Sequence, residues 1–108
     1  MTQNLTNTKT KNIADLPQNY QKDISRALKI LKAANCNEIF LFGSLAAGTN
    51  HHNSDIDLAI RGCPSGQFFT LFGQLLLTLD HSVDLVHLDK QDALARYLEQ
   101  EGNLVRIV

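Results

Sequence analysis

Apolar residues recur along this chain with two periods, about 3.6 residues and two, and the alternation between them marks out its elements. Leu16, Tyr20, Ile24, Ala27, Leu31 and Ala34 fall within one narrow arc of a helix, whereas Lys22, Arg26, Lys29 and Lys32 lie away from it. Asp15 with Gln18 three residues later, and Pro17 beside them, predict that this helix begins there. Asn35-Cys36-Asn37 breaks it, and a strand runs from about Glu38 to Phe42. Gly43-Ser44-Leu45-Ala46-Ala47-Gly48 opens a short helical turn that stops at Gly48. After a polar connection from Thr49 to Ser54, Ile56-Asp57-Leu58-Ala59-Ile60 reads as a second strand.

Arg61 to Gly66 holds turn residues in nearly every position. A helix over about 67–79 follows, in which Phe68, Phe69, Leu71, Phe72, Leu75, Leu76 and Leu79 cover a wide arc assigned to the core. Leu77 alone falls opposite. Asp80-His81 is a turn, and Ser82 to Leu88 reads as a third strand. Asp89 is placed to cap a last helix over about 90–100, whose apolar side is Ala93, Leu94, Tyr97 and Leu98. Gly102 ends that helix, and Leu104 to Val108 adds a short final strand. The expected fold is α/β (α+β), a small mixed sheet with helices packed on it.

Composition narrows the picture. At 108 residues the chain holds one core. Residues 1–14 lack the apolar groups that would offset ordering entropy, so a flexible tail is expected there, followed by a single domain over 15–108. Net charge is −1 and the Lys and Arg residues are scattered, which disfavours a nucleic acid as the direct partner. The N-terminal segment has no apolar h-region and no run is apolar enough to span a bilayer, so a cytoplasmic protein is expected. Cys36 and Cys63 match neither a disulfide framework nor a zinc spacing, and in that compartment they are expected as reduced thiols.

Candidate chemistry centres on carboxylates inside apolar strands. Asp55 and Asp57, two residues apart, project to one face of the second strand, and Asp84 interrupts the apolar Val83-Asp84-Leu85-Val86. Asp is depleted in strands, and neighbouring carboxylates repel unless a cation lies between them. An all-oxygen ligand set suits Mg²⁺, which shares its remaining sites with water and substrate phosphates. If the strands are neighbours, the three carboxylates meet on one patch and could hold two ions that clamp the attacking and leaving oxygens of a nucleotidyl transfer. Singly, each carboxylate is better explained as a turn cap or an edge residue. Gly43-Ser44, where a strand turns into a helix, allows close backbone approach and aims N–H groups and a hydroxyl at an anion such as triphosphate.

Gly43-Ser44, ten intervening residues ahead of Asp55 in Ser54-Asp55-Ile56-Asp57-Leu58, with Asp84 on a later strand, resembles the nucleotidyltransferase superfamily of DNA polymerase β. The short length makes the chain most similar to the minimal nucleotidyltransferases, antitoxin partners of HEPN-domain ribonuclease toxins. The resemblance implies that Gly43 and Ser44 bind the nucleotide phosphates and that Asp55, Asp57 and Asp84 are the catalytic, metal-binding carboxylates. It implies transfer of AMP from ATP to a tyrosine of the toxin with Mg²⁺. Many relatives read Gly-Ser-x-Ala-Arg-Gly, whereas Ala47 precedes Gly48 here, which removes a cation able to pair with phosphate. Arg61, just past the second strand, is a candidate replacement, with a solvated surface arginine the favoured reading.

Two alternatives stand beside that reading: an antitoxin that neutralises by binding alone, and a small-molecule adenylyltransferase completed by a second subunit. The histidines carry little signal. His51 and His52 lie in a polar loop, His81 in a turn, and His87 on the strand face opposite Asp84.

Overall fold

The computed structural model describes residues 9–51, 53–101 and 104–107. Five strands and four helices alternate through it: β1 (Lys9–Lys11), α1 (Gln18–Ala33), β2 (Glu38–Phe42), α2 (Gly43–Ala47), β3 (Ile56–Arg61), α3 (Phe68–Thr78), β4 (Val83–His87), α4 (Ala93–Glu101) and β5 (Val105–Ile107). The strands form one mixed sheet in the order β1-β5-β2-β3-β4. β2 lies antiparallel to both β3 and β5, and β3 is parallel to β4. The expected mixed α/β architecture is what the chain adopts.

Alternation along the strands divides the molecule into two layers. Ile39, Leu41, Ile56, Leu58, Ile60, Val83, Leu85 and Ile107 face one side, where Tyr20, Ile24 and Leu31 of α1 and Leu71 and Leu75 of α3 cover them. Phe40 and Ala59 face the other and meet Leu88, Ala95, Leu98 and Leu104, with Phe42 and Val86 alongside. Asp57 and Asp84 therefore sit on the side that α4 covers, between positions committed to the larger core. The β3–β4 register sets them directly opposite one another.

Five expectations change. The flexible tail over 1–14 gives way by Lys9: Lys9–Lys11 pairs in parallel with Val105–Ile107, and a 3₁₀ turn covers Ile13–Asp15. This strand is all polar, Lys-Thr-Lys, as suits a strand at the edge of the sheet formed by the described residues. Cys36 and Cys63 are bonded to one another instead of being free thiols, joining the loop after α1 to the loop after β3. On α3, Phe69 and Leu76 are exposed with Leu77, and only the Leu71–Leu75 ridge, Leu79 and the flanks of Phe68 and Phe72 reach the core. On α4, Ala95 and Leu98 are buried whereas Ala93, Leu94 and Tyr97 are not. Asp92, not Asp89, caps that helix, its Oδ1 accepting the Ala95 N–H at 2.9 Å. Asp89 instead accepts the Gly62 N–H at 2.8 Å. The expected stop at Gly102 lies outside the described residues, as do Val108 and residues 1–8 of the tail.

Candidate active site

The site is built where β2 ends and β3 and β4 begin. Phe42, the last residue of β2, is in register with Asp57, so the chain turns into α2 at Gly43 right beside the Asp57 carboxylate. Gly43 turns with φ +70°, and a Cβ built there would overlap Oδ2 of Asp57. Two independent demands thus fall on one position, a left-handed backbone and contact distance to a carboxylate. Ser44 follows in the first turn of α2, half-buried. The short helix closes at Gly48, φ +76°, as expected.

Asp57 and Asp84 stand opposite one another where β3 and β4 begin, and Asp55 immediately precedes β3. Asp57 is half-buried, while Asp55, just before β3, and Asp84 are exposed. The Ile56 N–H donates to the Ser82 carbonyl at 2.8 Å, which extends the β3–β4 pairing toward Asp55. Burial, then the Asp84 charge, then the Asp55 charge push the Asp57 carboxyl up to about 6. Mutual repulsion of this kind is what a cation would relieve, and an all-carboxylate donor set suits a hard divalent ion. Among the described residues, no three His, Cys, Asp or Glu side chains stand close enough together to hold a metal. The convergence is one of register and charge, not a closed cage.

Other sequence candidates are placed elsewhere. Arg61 ends β3 in register with Glu38, at the opposite end of the strand from Asp57. Its guanidinium pairs with Glu38 and Glu99 and lies over the Phe40 ring at 5.3 Å. It does not replace the cation missing at Ala47. Ala47 itself lines a cavity of about 350 Å³ with Lys9, Ala46, Leu104 and Val105. His87 stacks against Phe68 on the larger-core side, away from Asp84. His52 lies outside the described residues.

Sequence reasoning missed the groups that hold the site's loops. Asp23 is 1% exposed, the one buried charged residue among those described. It accepts the Asp80 N–H at 3.0 Å and the His81 N–H at 2.8 Å, and its Oδ2 lies 2.8 Å from His81 Nδ1. Burial alone would raise its pKa, but these donors outweigh it and hold the carboxyl below its ordinary value. The Tyr20 ring stacks on His81, centroids 4.2 Å apart, and its hydroxyl donates to the Ser54 carbonyl at 2.9 Å. A buried tyrosine at a core position was legible in the sequence; its hydroxyl's partner was not.

A family model described as polymerase beta, nucleotidyltransferase, matches residues 22–106. Among solved structures, the chain is similar to a toxin–antitoxin crystallised with AMP-PNP, at 31% identity and a TM-score of 0.54, over 72% of this chain and 64% of that one. It is also similar to a mutant MntA-HpeT toxin–antitoxin at 26% identity and a TM-score of 0.59, over 76% of this chain and 69% of that one. A structure of MntA-HepT, at 24% identity and a TM-score of 0.56 over 80% and 69% of the two chains, shows the same fold. This chain thus spans slightly less than two thirds of the first of these proteins. No curated protein matches it.

Proposed function

The chain belongs to the polymerase beta nucleotidyltransferase family, and from that premise we propose that it is an antitoxin that transfers AMP from ATP to a tyrosine of a HEPN-domain ribonuclease toxin. The observation that carries the reading is the Gly43–Asp57–Asp84 arrangement: a glycine with no room for a side chain, against a carboxylate in register with a second one. A nucleotidyl-transfer site needs that juxtaposition of a close backbone approach for phosphates and acidic groups for a cation. The neighbours crystallised as toxin–antitoxin pairs, one of them with AMP-PNP, support the choice of partner and nucleotide.

In this mechanism Gly43 and Ser44 cradle the triphosphate through backbone N–H groups and the Ser44 hydroxyl. Asp55 and Asp57 would hold two Mg²⁺ ions, and Asp84 one of them. Bound there, the ions would neutralise charge on the attacking and leaving oxygens. Asp84 stands on the acceptor side and takes the proton as the tyrosine oxygen bonds to the α-phosphorus. The bond to pyrophosphate breaks, giving AMP-tyrosine and pyrophosphate. No helix of the described residues is long and apolar enough to cross a membrane.

Occlusion of the toxin without chemistry has one observation in its favour, the absence of a cation at position 47. The deciding experiment is intact mass spectrometry of the toxin after incubation with this protein, ATP and Mg²⁺, with an Asp55→Asn/Asp57→Asn control. A gain in whole AMP units that vanishes in the control is expected. A tight complex with no gain would leave occlusion as the function.

A further inference from the structure

Strand register fixes Asp57 opposite Asp84, but it does not by itself fix Asp55, which lies outside β3 at the end of a loop. Asp84 likewise follows a loop, across only Ser82 and Val83 from His81. Both loops are tied to the same face of α1. The Tyr20 hydroxyl reaches the Ser54 carbonyl at 2.9 Å and the His51 carbonyl at 3.3 Å, within a turn that the Ser54 hydroxyl closes by accepting the His51 N–H at 2.6 Å. One turn of helix further on, Asp23 takes the Asp80 and His81 N–H groups. The His81 ring, bonded to Asp23 and stacked on Tyr20, joins the two anchors, and the Ile56 N–H to Ser82 carbonyl bond joins the two loops.

We propose that Tyr20 and Asp23 are positioning residues that set how Asp55 and Asp84 stand relative to one another, and thereby the rate of nucleotidyl transfer. The inference rests on the assignment of Asp55, Asp57 and Asp84 as the catalytic carboxylates. A helix needs only apolar contacts to pack on a sheet, and α1 already supplies Ile24, Ala27, Leu28 and Leu31. A buried carboxylate adds a desolvation cost that leucine would avoid, and the hydrogen bonds that offset it here all go to the turn before β4. Such bonds fix orientation in a way that apolar packing does not. The carboxylates they orient have to meet ions and a reacting phosphate to within a fraction of an ångström.

The test uses the intact chain with its toxin. Tyr20→Phe keeps the ring, its stacking and its packing and removes only the hydroxyl; Asp23→Asn keeps the shape and removes the charge. Tyr20→Phe is expected to speed amide hydrogen exchange at Ser54 and Ile56 by about fivefold or more, the worth of one hydrogen bond, with Leu41 and Leu58 unchanged. The same variant should lower kcat for transfer at least about tenfold while KM for the nucleotide stays within about twofold, because Gly43 and Ser44 are untouched. Asp23→Asn should do the same, with exchange rising at Asp80 and His81. A Tyr20→Phe protein with wild-type exchange at Ser54 and Ile56, or with wild-type kcat, overturns the proposal even if Asp23→Asn fails to fold. A wild-type chain that transfers nothing overturns the assignment of the site as well, and is thereby told apart from failure of the positioning role alone.

Discussion

Gly43 and Asp57 occupy the same space in the sense that matters for substitution: the Cβ that any other residue would add at 43 falls on Oδ2 of Asp57. Gly43→Ala therefore has to move either the carboxylate or the turn, on top of the strain of an alanine at φ +70°. Gly48 supplies an internal control, since it has a similar φ of +76° with nothing within 4 Å of its absent Cβ. Gly48→Ala should cost about 1 kcal/mol in thermal or urea denaturation and leave most activity intact. Gly43→Ala should cost about 1–3 kcal/mol and abolish transfer. Equal effects from the two would mean that backbone strain alone, and not the approach to Asp57, explains Gly43.

Asp57 also dictates a pH dependence. Its carboxyl is raised from 3.8 to about 6 by burial and by the Asp84 and Asp55 charges, so between those values the folded chain binds more proton than the unfolded one. Stability of the metal-free protein should accordingly fall as pH rises from about 4 to about 6, by on the order of 1 kcal/mol once solvent screening is discounted. Asp84→Asn removes a neighbouring charge, so it should flatten that slope and raise stability at pH 7 while eliminating transfer. Divalent cations compete with the proton, and activity should therefore drop as pH falls through about 6, less so at high Mg²⁺. Denaturation curves of wild type and Asp84→Asn from pH 4 to 8 check the sign; a stability that rises over that interval would contradict it.

What the sequence made legible follows from the range of the forces involved. β2, α2 and β3 were readable almost to the residue, because local alternation, a glycine stop and the Gly-Ser and Asp-x-Asp spacings all lie within 20 residues of one another. The Asp57–Asp84 pairing was readable only conditionally, since strand order is not a local property. Asp23 was invisible: on a charged helix it looks like a solvated residue, and its partners lie 57 and 58 positions away. The Lys9–Lys11 strand was hidden for the opposite reason, because its pairing with β5 is made by backbone groups that side-chain patterning does not report. The excess apolar surface of α3 misled, as periodicity cannot tell a wide buried arc from a narrow one with exposed neighbours.

The Cys36–Cys63 bond reverses the reading of two idle thiols, and it can be measured directly. It closes a loop across a sequence separation of 27, with Cα atoms 4.0 Å apart, and spans all of β2, α2 and β3. On chain-entropy grounds such a crosslink stabilises by about 3 kcal/mol. The protein kept without reductant should show the mass of one disulfide, and dithiothreitol should lower its denaturation midpoint. The Cys36→Ser/Cys63→Ser variant should match the reduced wild type and be insensitive to dithiothreitol. Free thiols in the unreduced protein would restore the sequence reading.

Two leucines in α3 separate core from surface within one turn of helix. Leu75 is fully buried between α1 and the sheet, in contact with the larger core, whereas Leu77 is 91% exposed. Leu75→Ala leaves a cavity in a packed layer and should cost about 2–5 kcal/mol. Leu77→Lys, and with it Leu76→Lys and Phe69→Lys, should each change stability by no more than about 0.5 kcal/mol and improve solubility of the isolated chain. The single set of urea denaturation curves that tests this also tests the fold assignment of α3: a large loss at Phe69 or Leu76 would mean that the helix is rolled toward the arc that periodicity alone had placed in the core.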